Sequence, residues 1–226
     1  MTRPGSRRIA SGSSTAGATS KIGAAVSDSL LRFYLAFVPR ERIRYETGIP
    51  AAHGFPTLTE GGPCDVDESP WILACNYDGA GEMLRYLYDG LVAPAGKIAG
   101  ELREFGQARY VERESVASMA DDGFVFVPKD CASGKPCRIH VVFHGCRQGI
   151  GELGRAFARE AGYNRWADAN RIVVLYPQAE RASFRRSTPA AAGTGGATPA
   201  STTPRETARS SRACTARSRL SAPDRR

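Results

Sequence analysis

Residues 139–176 read IHVVFHGCRQGIGELGRAFAREAGYNRWADANRIVVLY, and this stretch decides the fold. Its two ends, Ile139 to Phe143 and Ile172 to Tyr176, are short runs of β-branched and aromatic residues, which are typical of buried strands. Between them, Glu152 to Asn170 has a helical pattern that is broken near Gly162. Two apolar strands joined through a helix predict a parallel, buried βαβ unit.

The segments before this unit extend the α/β pattern. Phe124 to Val127 forms another apolar run, and only a polar, turn-rich connection separates it from Ile139, so we predict that these two strands are neighbours. Ile43 to Tyr45 predicts a short strand. Ala24 to Val38 and Asp78 to Leu91 predict amphipathic helices, the second entered through Asp78. The apolar stripe of the first helix contains Leu30, Leu31, Tyr34, Leu35 and Val38.

Charge and composition divide the chain into three segments. Residues 1–20 are rich in Gly, Ser, Thr and Ala, without periodicity, and we expect a disordered or mistranslated leader. Residues 181–226 hold ten Arg, no Lys and two acidic residues, so this segment carries 10 − 2 = +8 and the other 180 residues are neutral at 21 − 21 = 0. We expect this tail to be disordered. Only residues 21–180 have the pattern of a folded domain.

The composition also limits the class of protein. No apolar run approaches the ~20 residues that span a bilayer. The basic start is followed by small polar residues and not by the apolar segment of a signal peptide. With no basic surplus in residues 21–180, we expect neither nucleic acid nor a membrane as a partner of the folded part.

Cysteine spacing favours disulfides. Ten residues separate Cys64 from Cys75, and five separate Cys131 from Cys137, loops that a disulfide can close. Zinc is the alternative, but its ligands usually stand two to four residues apart with His nearby. We therefore predict two disulfides and no metal. Cys146 is then left without a partner in residues 21–180.

Two histidines lie where catalytic chemistry is commonly mounted. His53 lies in a loop punctuated by Pro and Gly, so it is either a catalytic base or a structural histidine. His144 and Gly145 end a strand, and the backbone N–H of Cys146 is a candidate donor to an oxyanion hole; an ordinary strand-ending turn is the alternative. His140 lies within the strand and is predicted to be structural.

Six segments together resemble one family. In chain order they are AAHGFPT (51–57), CNYDGAG (75–81), GFVFVP (123–128), HGCRQ (144–148), GYNRWADAN (162–170) and VLYPQ (174–178). They are similar in order and spacing to secreted poly(3-hydroxybutyrate) depolymerases, which are esterases with a circularly permuted α/β-hydrolase fold. The resemblance covers residues 21–180. It implies a partial α/β-hydrolase fold, with a mostly parallel sheet and flanking helices.

The resemblance also implies a chemistry. Members of this family hydrolyse polyester or short-chain esters outside the cell with a Ser/His/Asp triad and no cofactor, so the implied localisation is extracellular. His53 matches the catalytic histidine. Cys146 matches the residue whose main-chain N–H lines the oxyanion hole, and Cys64/Cys75 and Cys131/Cys137 match family disulfides. The oligomeric state is not implied.

The nucleophile and the aspartate have no match. In the family both precede the histidine, and the nucleophile precedes it by more than the 52 residues available here. Ser14 lies in half of an elbow motif, but no apolar strand is predicted before Gly12, and Ala16 replaces the second glycine. The aspartate would fall near Thr19, and Asp28 lies inside the first predicted helix. We therefore expect a chain truncated at its N-terminus and without esterase activity.

The C-terminal segment resembles a frameshifted copy of a family loop. Residues 192–199 read AGTGGATP, and their codons, read one base earlier, permit Cys-Trp-Asp-Trp-Trp-Gly-Tyr-Thr. A similar stretch follows Tyr-Pro-Gln in the family. We expect residues from about 182 onward to be translated out of frame. A gene whose adjacent frame lacks this stretch would contradict that expectation.

Two other functions stay open from sequence alone. The Arg-rich tail could bind nucleic acid or another anionic surface, although such tails commonly mix Lys with Arg and interleave aromatic residues. Alternatively, the chain binds polyester without hydrolysing it.

Overall fold

A computed structural model describes residues 9–12, 23–110 and 119–180. The chain divides into two units, Met1–Glu180 and Arg181–Arg226, and every described residue belongs to the first. The Arg-rich tail, residues 192–199 and the position of Ser14 lie outside the described residues. In the described part, no helix is long and apolar enough to cross a bilayer.

The described residues form nine strands and six α-helices. In chain order they are β1 (Ile9–Gly12), α1 (Ala24–Leu35), β2 (Ile43–Glu46), β3 (Phe55–Thr57), β4 (Gly62–Pro63), β5 (Ile72–Ala74), α2 (Gly79–Leu87), β6 (Glu101–Gly106), β7 (Asp122–Val127), α3 (Lys129–Ala132), β8 (Arg138–Val141), α4 (Ile150–Leu153), α5 (Ala156–Glu160), α6 (Tyr163–Asn170) and β9 (Ile172–Tyr176).

These strands make three sheets with flanking helices, so the expected α/β architecture is confirmed. β1 pairs with β2, and β3, β5 and β4 lie side by side in that order; all these pairs are parallel. The largest sheet has the order β6–β7–β9–β8. Within it β8 and β9 are parallel, and β7 is antiparallel to both β6 and β9.

The predicted βαβ unit is confirmed in full. β8 and β9 run parallel, with Ile139 opposite Val173 and Val141 opposite Leu175. The connection between them contains α4, α5 and α6, and α6 begins after Gly162, whose φ of 88° lies in the left-handed region. That conformation favours glycine, which explains the break that the sequence indicates there.

One predicted pairing is wrong. β7 and β8 follow one another in the chain but are not neighbours, because β9 lies between them. The reason is that the crossover through α4–α6 returns β9 beside β8, and the second edge of β9 is then taken by β7. Sequence adjacency therefore does not decide the order of these strands.

The N-terminal half differs from the prediction in two places. The sequence predicts no strand before Gly12, but residues 9–12 form β1. This strand forms because its backbone pairs in parallel with β2. α1 ends at Leu35 and not at Val38, and its apolar residues divide between two sides. Leu31, Tyr34 and Val38 are half-buried, whereas Leu30 and Leu35 are exposed.

The core lies between one face of the large sheet and three helices. α2, α5 and α6 cover this face and bury it completely. Its largest sheet residues are Phe124, Phe126, Ile172, Val174 and Tyr176, each at most 2% exposed. Burial of this face supplies the main stabilisation of the unit, since apolar area removed from water stabilises by roughly 25 cal/mol per Å².

Candidate active site

His53 lies in the loop between β2 and β3, and buried neighbours fix that loop. Ala51 and Ala52 are fully buried against Leu73. The Ala52 N–H donates to the Cys64 carbonyl at 2.7 Å, so the loop is tied to the turn after β4, where the first disulfide begins. His53 itself is half-buried. The buried loop fixes its backbone, while its side chain still reaches the surface.

Gly54 allows the loop to approach its neighbour closely. A Cβ at this position would lie 2.7 Å from the Trp71 carbonyl oxygen and 2.7 Å from Leu73 Cγ. The next residue, Phe55, donates its N–H to the same carbonyl at 2.8 Å. Any side chain at Gly54 would push His53 away from this support.

Cys146 lies in a tight turn, Gly145 to Gln148, that follows β8 after residues 142–144. The Gln148 N–H donates to the Gly145 carbonyl at 3.2 Å, and Arg147 has a φ of 65°. This is the pattern of a type II turn, which requires a positive φ at its third residue. The Gly145 N–H donates to Gln148 Oε1 at 2.8 Å, so the glutamine side chain closes the turn from within.

One peptide carbonyl joins the His53 loop to the Cys146 turn. The Trp71 carbonyl accepts from the Phe55 N–H and from Gln148 Nε2, both at 2.8 Å. Gln148 is only 6% exposed, so both of its polar atoms are used inside the protein. The Arg147 guanidinium lies 4.4 Å from the centre of the Trp71 ring, a cation–π contact. The two predicted site segments are therefore held by the same residue.

Trp71 and Gln148 join the two candidate site segments, and the sequence pattern does not indicate this role for either. Gln148 is the last residue of the HGCRQ segment. The sequence does not indicate which groups its amide side chain would hydrogen-bond. Trp71 has a φ of 53°, which a bulky residue rarely adopts. A tryptophan at such a φ is held by its surroundings, and no pattern in the sequence shows it.

The serine and aspartate that the resemblance implies are not identified among the described residues. In the part of the chain that the structure describes, no residue hydrogen-bonds to the His53 ring. Asp28 lies in α1 and accepts from the Tyr45 hydroxyl at 2.8 Å, so the structure gives it a structural partner. Ser14 and Thr19 are outside the described residues.

The cysteines form disulfides, as predicted. Cys64 pairs with Cys75 and Cys131 with Cys137. Cys146 is disulfide-bonded as well, so it is not a free thiol. Within the described ranges, no three His, Cys, Asp or Glu side chains are grouped to hold a metal ion.

The two remaining histidines have structural partners. His144 Nδ1 donates to the Gly145 carbonyl at 2.9 Å, while Nε2 accepts from the Ala179 N–H at 3.2 Å. One neutral tautomer satisfies both bonds. His140 Nδ1 shares a hydrogen bond with the Tyr88 hydroxyl at 3.0 Å, and burial lowers the pKa of its imidazole. The structural role predicted for His140 agrees with this arrangement.

Sequence comparison finds two curated relatives of the same kind, while no family model matches the chain. A poly(3-hydroxybutyrate) depolymerase from Delftia acidovorans is 40% identical over 162 residues, which are 70% of this chain and 32% of the relative. A polyhydroxybutyrate depolymerase from Talaromyces funiculosus is 39% identical over 142 residues, 61% of this chain and 41% of the relative. The chain thus spans less than half the length of either relative.

Solved structures agree with the sequence comparison. The crystal structure of a PHB depolymerase from Penicillium funiculosum has a TM-score of 0.68 and 34% identity, covering 76% of this chain and 54% of that one. A serine-to-alanine variant of a PHB depolymerase complexed with an R3HB trimer has a TM-score of 0.67 and 35% identity, covering 75% and 53%.

Proposed function

Because this chain belongs, over the matched segment, to the poly(3-hydroxybutyrate) depolymerase family, we infer that it forms the histidine and oxyanion side of an ester hydrolase site. The observation that carries this proposal is the Trp71 carbonyl, which holds the His53 loop and the Cys146 turn together. A general base and an oxyanion donor must be fixed relative to each other before the substrate binds, and this shared peptide supplies that fixation.

In the proposed reaction, each residue acts at one atom. A serine hydroxyl adds to the ester carbonyl carbon while the His53 imidazole takes the hydroxyl proton. The carbonyl oxygen becomes an oxyanion and accepts from the Cys146 N–H. When the intermediate collapses, the alcohol leaves with the proton from His53, and water then releases the acid by the same two steps. The serine and the aspartate are not among the described residues.

The proposed substrate is a 3-hydroxybutyrate oligomer or another short-chain ester. The relatives carry the name of this activity, and one neighbour is complexed with an R3HB trimer. A chain without a serine beside His53 would bind this substrate and not hydrolyse it, because loss of the nucleophile costs a triad several orders of magnitude in rate. The disulfides support an oxidising compartment as its place of action.

Ligand titration followed by NMR tests the proposal. Adding an R3HB trimer should shift the ring signals of His53 and the amide signal of Cys146, and the chain should release no 3-hydroxybutyrate. The 3-hydroxybutyrate monomer, which has no ester bond, serves as the control ligand and should cause smaller shifts. Trimer binding that leaves both signals unchanged would refute the assigned site, and hydrolysis sensitive to a serine reagent would refute the inactivity.

A further inference from the structure

The residue after the candidate oxyanion donor is an arginine in an unusual backbone conformation. Arg147 is the third residue of the turn at 145–148, and its φ is 65°. Glycine or asparagine is the ordinary choice at this position of a type II turn, because a larger side chain crowds its own backbone there. The turn alone therefore does not account for an arginine. Such an outlier is a reason to look for a function of the side chain.

The guanidinium of Arg147 is held in place and is still accessible. Its Cζ lies 4.4 Å from the centre of the Trp71 ring, and this cation–π contact restricts the side chain. The residue is exposed. Among the described residues, no Asp or Glu side chain forms an ion pair with it. The charge of Arg147 is thus available to an anion from solution.

Arg147 also lies next to both candidate site segments. Its Cα is one peptide unit, about 3.8 Å, from the Cα of Cys146. The residue whose ring the guanidinium contacts is Trp71, and the Trp71 carbonyl joins the His53 loop to the Cys146 turn. The positive charge therefore lies beside the place where the ester carbonyl is proposed to bind.

The chemistry of the proposed substrate supplies a matching anion. The ester units inside a 3-hydroxybutyrate oligomer are uncharged, whereas the unit at its acid end has a free carboxylate. Only two carbons separate this carboxylate from the oxygen of the last ester bond. When the carbonyl of that ester accepts from the Cys146 N–H, the carboxylate is a few bonds away. A guanidinium binds a carboxylate through two parallel N–H···O bonds.

We propose that Arg147 is a specificity-determining residue that binds the terminal carboxylate of the oligomer. The inference rests on the proposed function, because the Cys146 N–H has to bind the ester carbonyl. Arg147 then selects oligomers with a free acid end over those whose acid end is esterified. It also places the last ester bond, and not an internal one, at the oxyanion donor.

A purely structural role of Arg147 has a different consequence. If the side chain only packed on the Trp71 ring, its loss would weaken the binding of charged and uncharged esters alike. A carboxylate site instead changes the ratio between the affinity for the free acid and the affinity for its methyl ester. This ratio is therefore the quantity to measure.

Calorimetric titration of the full chain with two probes tests the proposal. The probes are the R3HB trimer and the same trimer methylated at its terminal carboxylate, and NMR follows the signals of His53 and Cys146 in parallel. The wild type should bind the free trimer about tenfold more tightly, since a hydrogen bond to a charged group is worth about that factor. Arg147→Gln should bring the ratio close to one and leave the affinity for the methyl ester unchanged.

Two further variants separate the charge from the fold. Arg147→Gly relieves the positive φ, so the turn keeps its conformation, and it should lose the ratio as Arg147→Gln does. Arg159→Gln is the matched control, because it removes an exposed arginine of α5 that pairs with Glu160. This control should keep the ratio of the wild type.

The outcomes separate this inference from the proposed function. A ratio near one in the wild type, while both site signals shift, overturns the role of Arg147 and leaves the proposed function standing. A ratio that persists in both Arg147 variants also overturns it, because the carboxylate then binds elsewhere. A ratio lost in both variants, while the site signals never move, supports carboxylate binding by Arg147 and refutes the proposed function. Absence of binding by either probe refutes both.

Discussion

At the residue scale, a few buried polar side chains do most of the positioning. Gln148 closes the Cys146 turn and reaches the Trp71 carbonyl. Gln107 makes similar bonds just beyond the C-terminal end of β9: its Nε2 donates to the Ala120 and Gln178 carbonyls at 2.7 and 2.6 Å. Both side chains are nearly inaccessible, and a buried amide is tolerated only when its bonds are made. Loss of either side-chain amide should therefore lower the free energy of unfolding.

Removing the amide of Gln148 tests this directly. Gln148→Leu keeps most of the volume but deletes both hydrogen bonds and leaves the Gly145 N–H without its acceptor. We expect the free energy of unfolding in urea to fall by about 1–3 kcal/mol. Lys97→Leu, on the surface, should change it by less than about 0.5 kcal/mol. Equal effects of the two variants would show that Gln148 does not hold the turn.

His140 should make the stability depend on pH. Burial lowers the pKa of its imidazole, because the charged ring would lose its hydration, so the folded state favours the neutral ring. The unfolded chain binds this proton near pH 6.5. Stability from this group is thus complete above about pH 6.5 and is lost as the pH falls below it.

Urea unfolding of wild type and His140→Gln at pH 7.5 and pH 5.5 measures this contribution. The wild type should lose more stability on acidification than the variant, which has no imidazole to protonate at this position. Parallel losses in the two proteins would assign the acid sensitivity to other groups.

At the scale of elements, the sequence predicts where helix α2 begins better than where it ends. Asp78 was identified as the entry to α2, and its Oδ1 does accept from the Gly81 N–H at 3.0 Å. The sequence predicts that the same helix ends at Leu91, because apolar residues continue at helical spacing to that position. α2 instead ends at Leu87, since Tyr88 turns extended to reach His140. Tertiary partners of this kind leave no periodic signal.

The strand order and the contact between the two candidate site segments could not be predicted from the sequence, because both depend on tertiary contacts. The βαβ unit was predictable because its strands, helix and break at Gly162 are all local. The position of β9 between β7 and β8 depends on which edges are free after the crossover forms. His53 and Cys146 were identified individually through the family resemblance, whereas the Trp71 carbonyl between them is visible only in three dimensions.

Asp78 connects helices α2 and α6, and we expect its carboxylate to stabilise both. Besides capping α2, its Oδ2 accepts from Trp166 Nε1 at 2.8 Å and pairs with Arg165, so it fastens α2 to α6. We expect Asp78→Ala to lower the free energy of unfolding by about 2–4 kcal/mol, the sum of a lost cap and a lost charged hydrogen bond. Asp78→Asn, which keeps an acceptor for the cap, should cost less.

Thermal or urea unfolding of both variants measures these changes. Ser29 is a suitable control, because its hydroxyl bonds only within α1 and on the surface. Ser29→Ala should change stability by less than about 0.5 kcal/mol. If Asp78→Ala were no worse than this control, the contact between α2 and α6 would not depend on the carboxylate.

At the scale of the whole molecule, the two faces of the large sheet of the described part differ. One face of its large sheet is buried by helices, and the other is apolar and exposed next to an open strand. The candidate site lies at the end of that same strand. The matched segment covers about half of the solved neighbours. The proposed function assigns His53 and the Cys146 N–H of this unit to the base and oxyanion side of an ester hydrolase site.

Labelling with a fluorophosphonate, followed by peptide mass spectrometry, tests this central claim most directly, because the reagent reacts with serines activated by a histidine. For the chain alone we predict no adduct. An adduct on any residue of the chain itself, Ser14 included, would contradict the account.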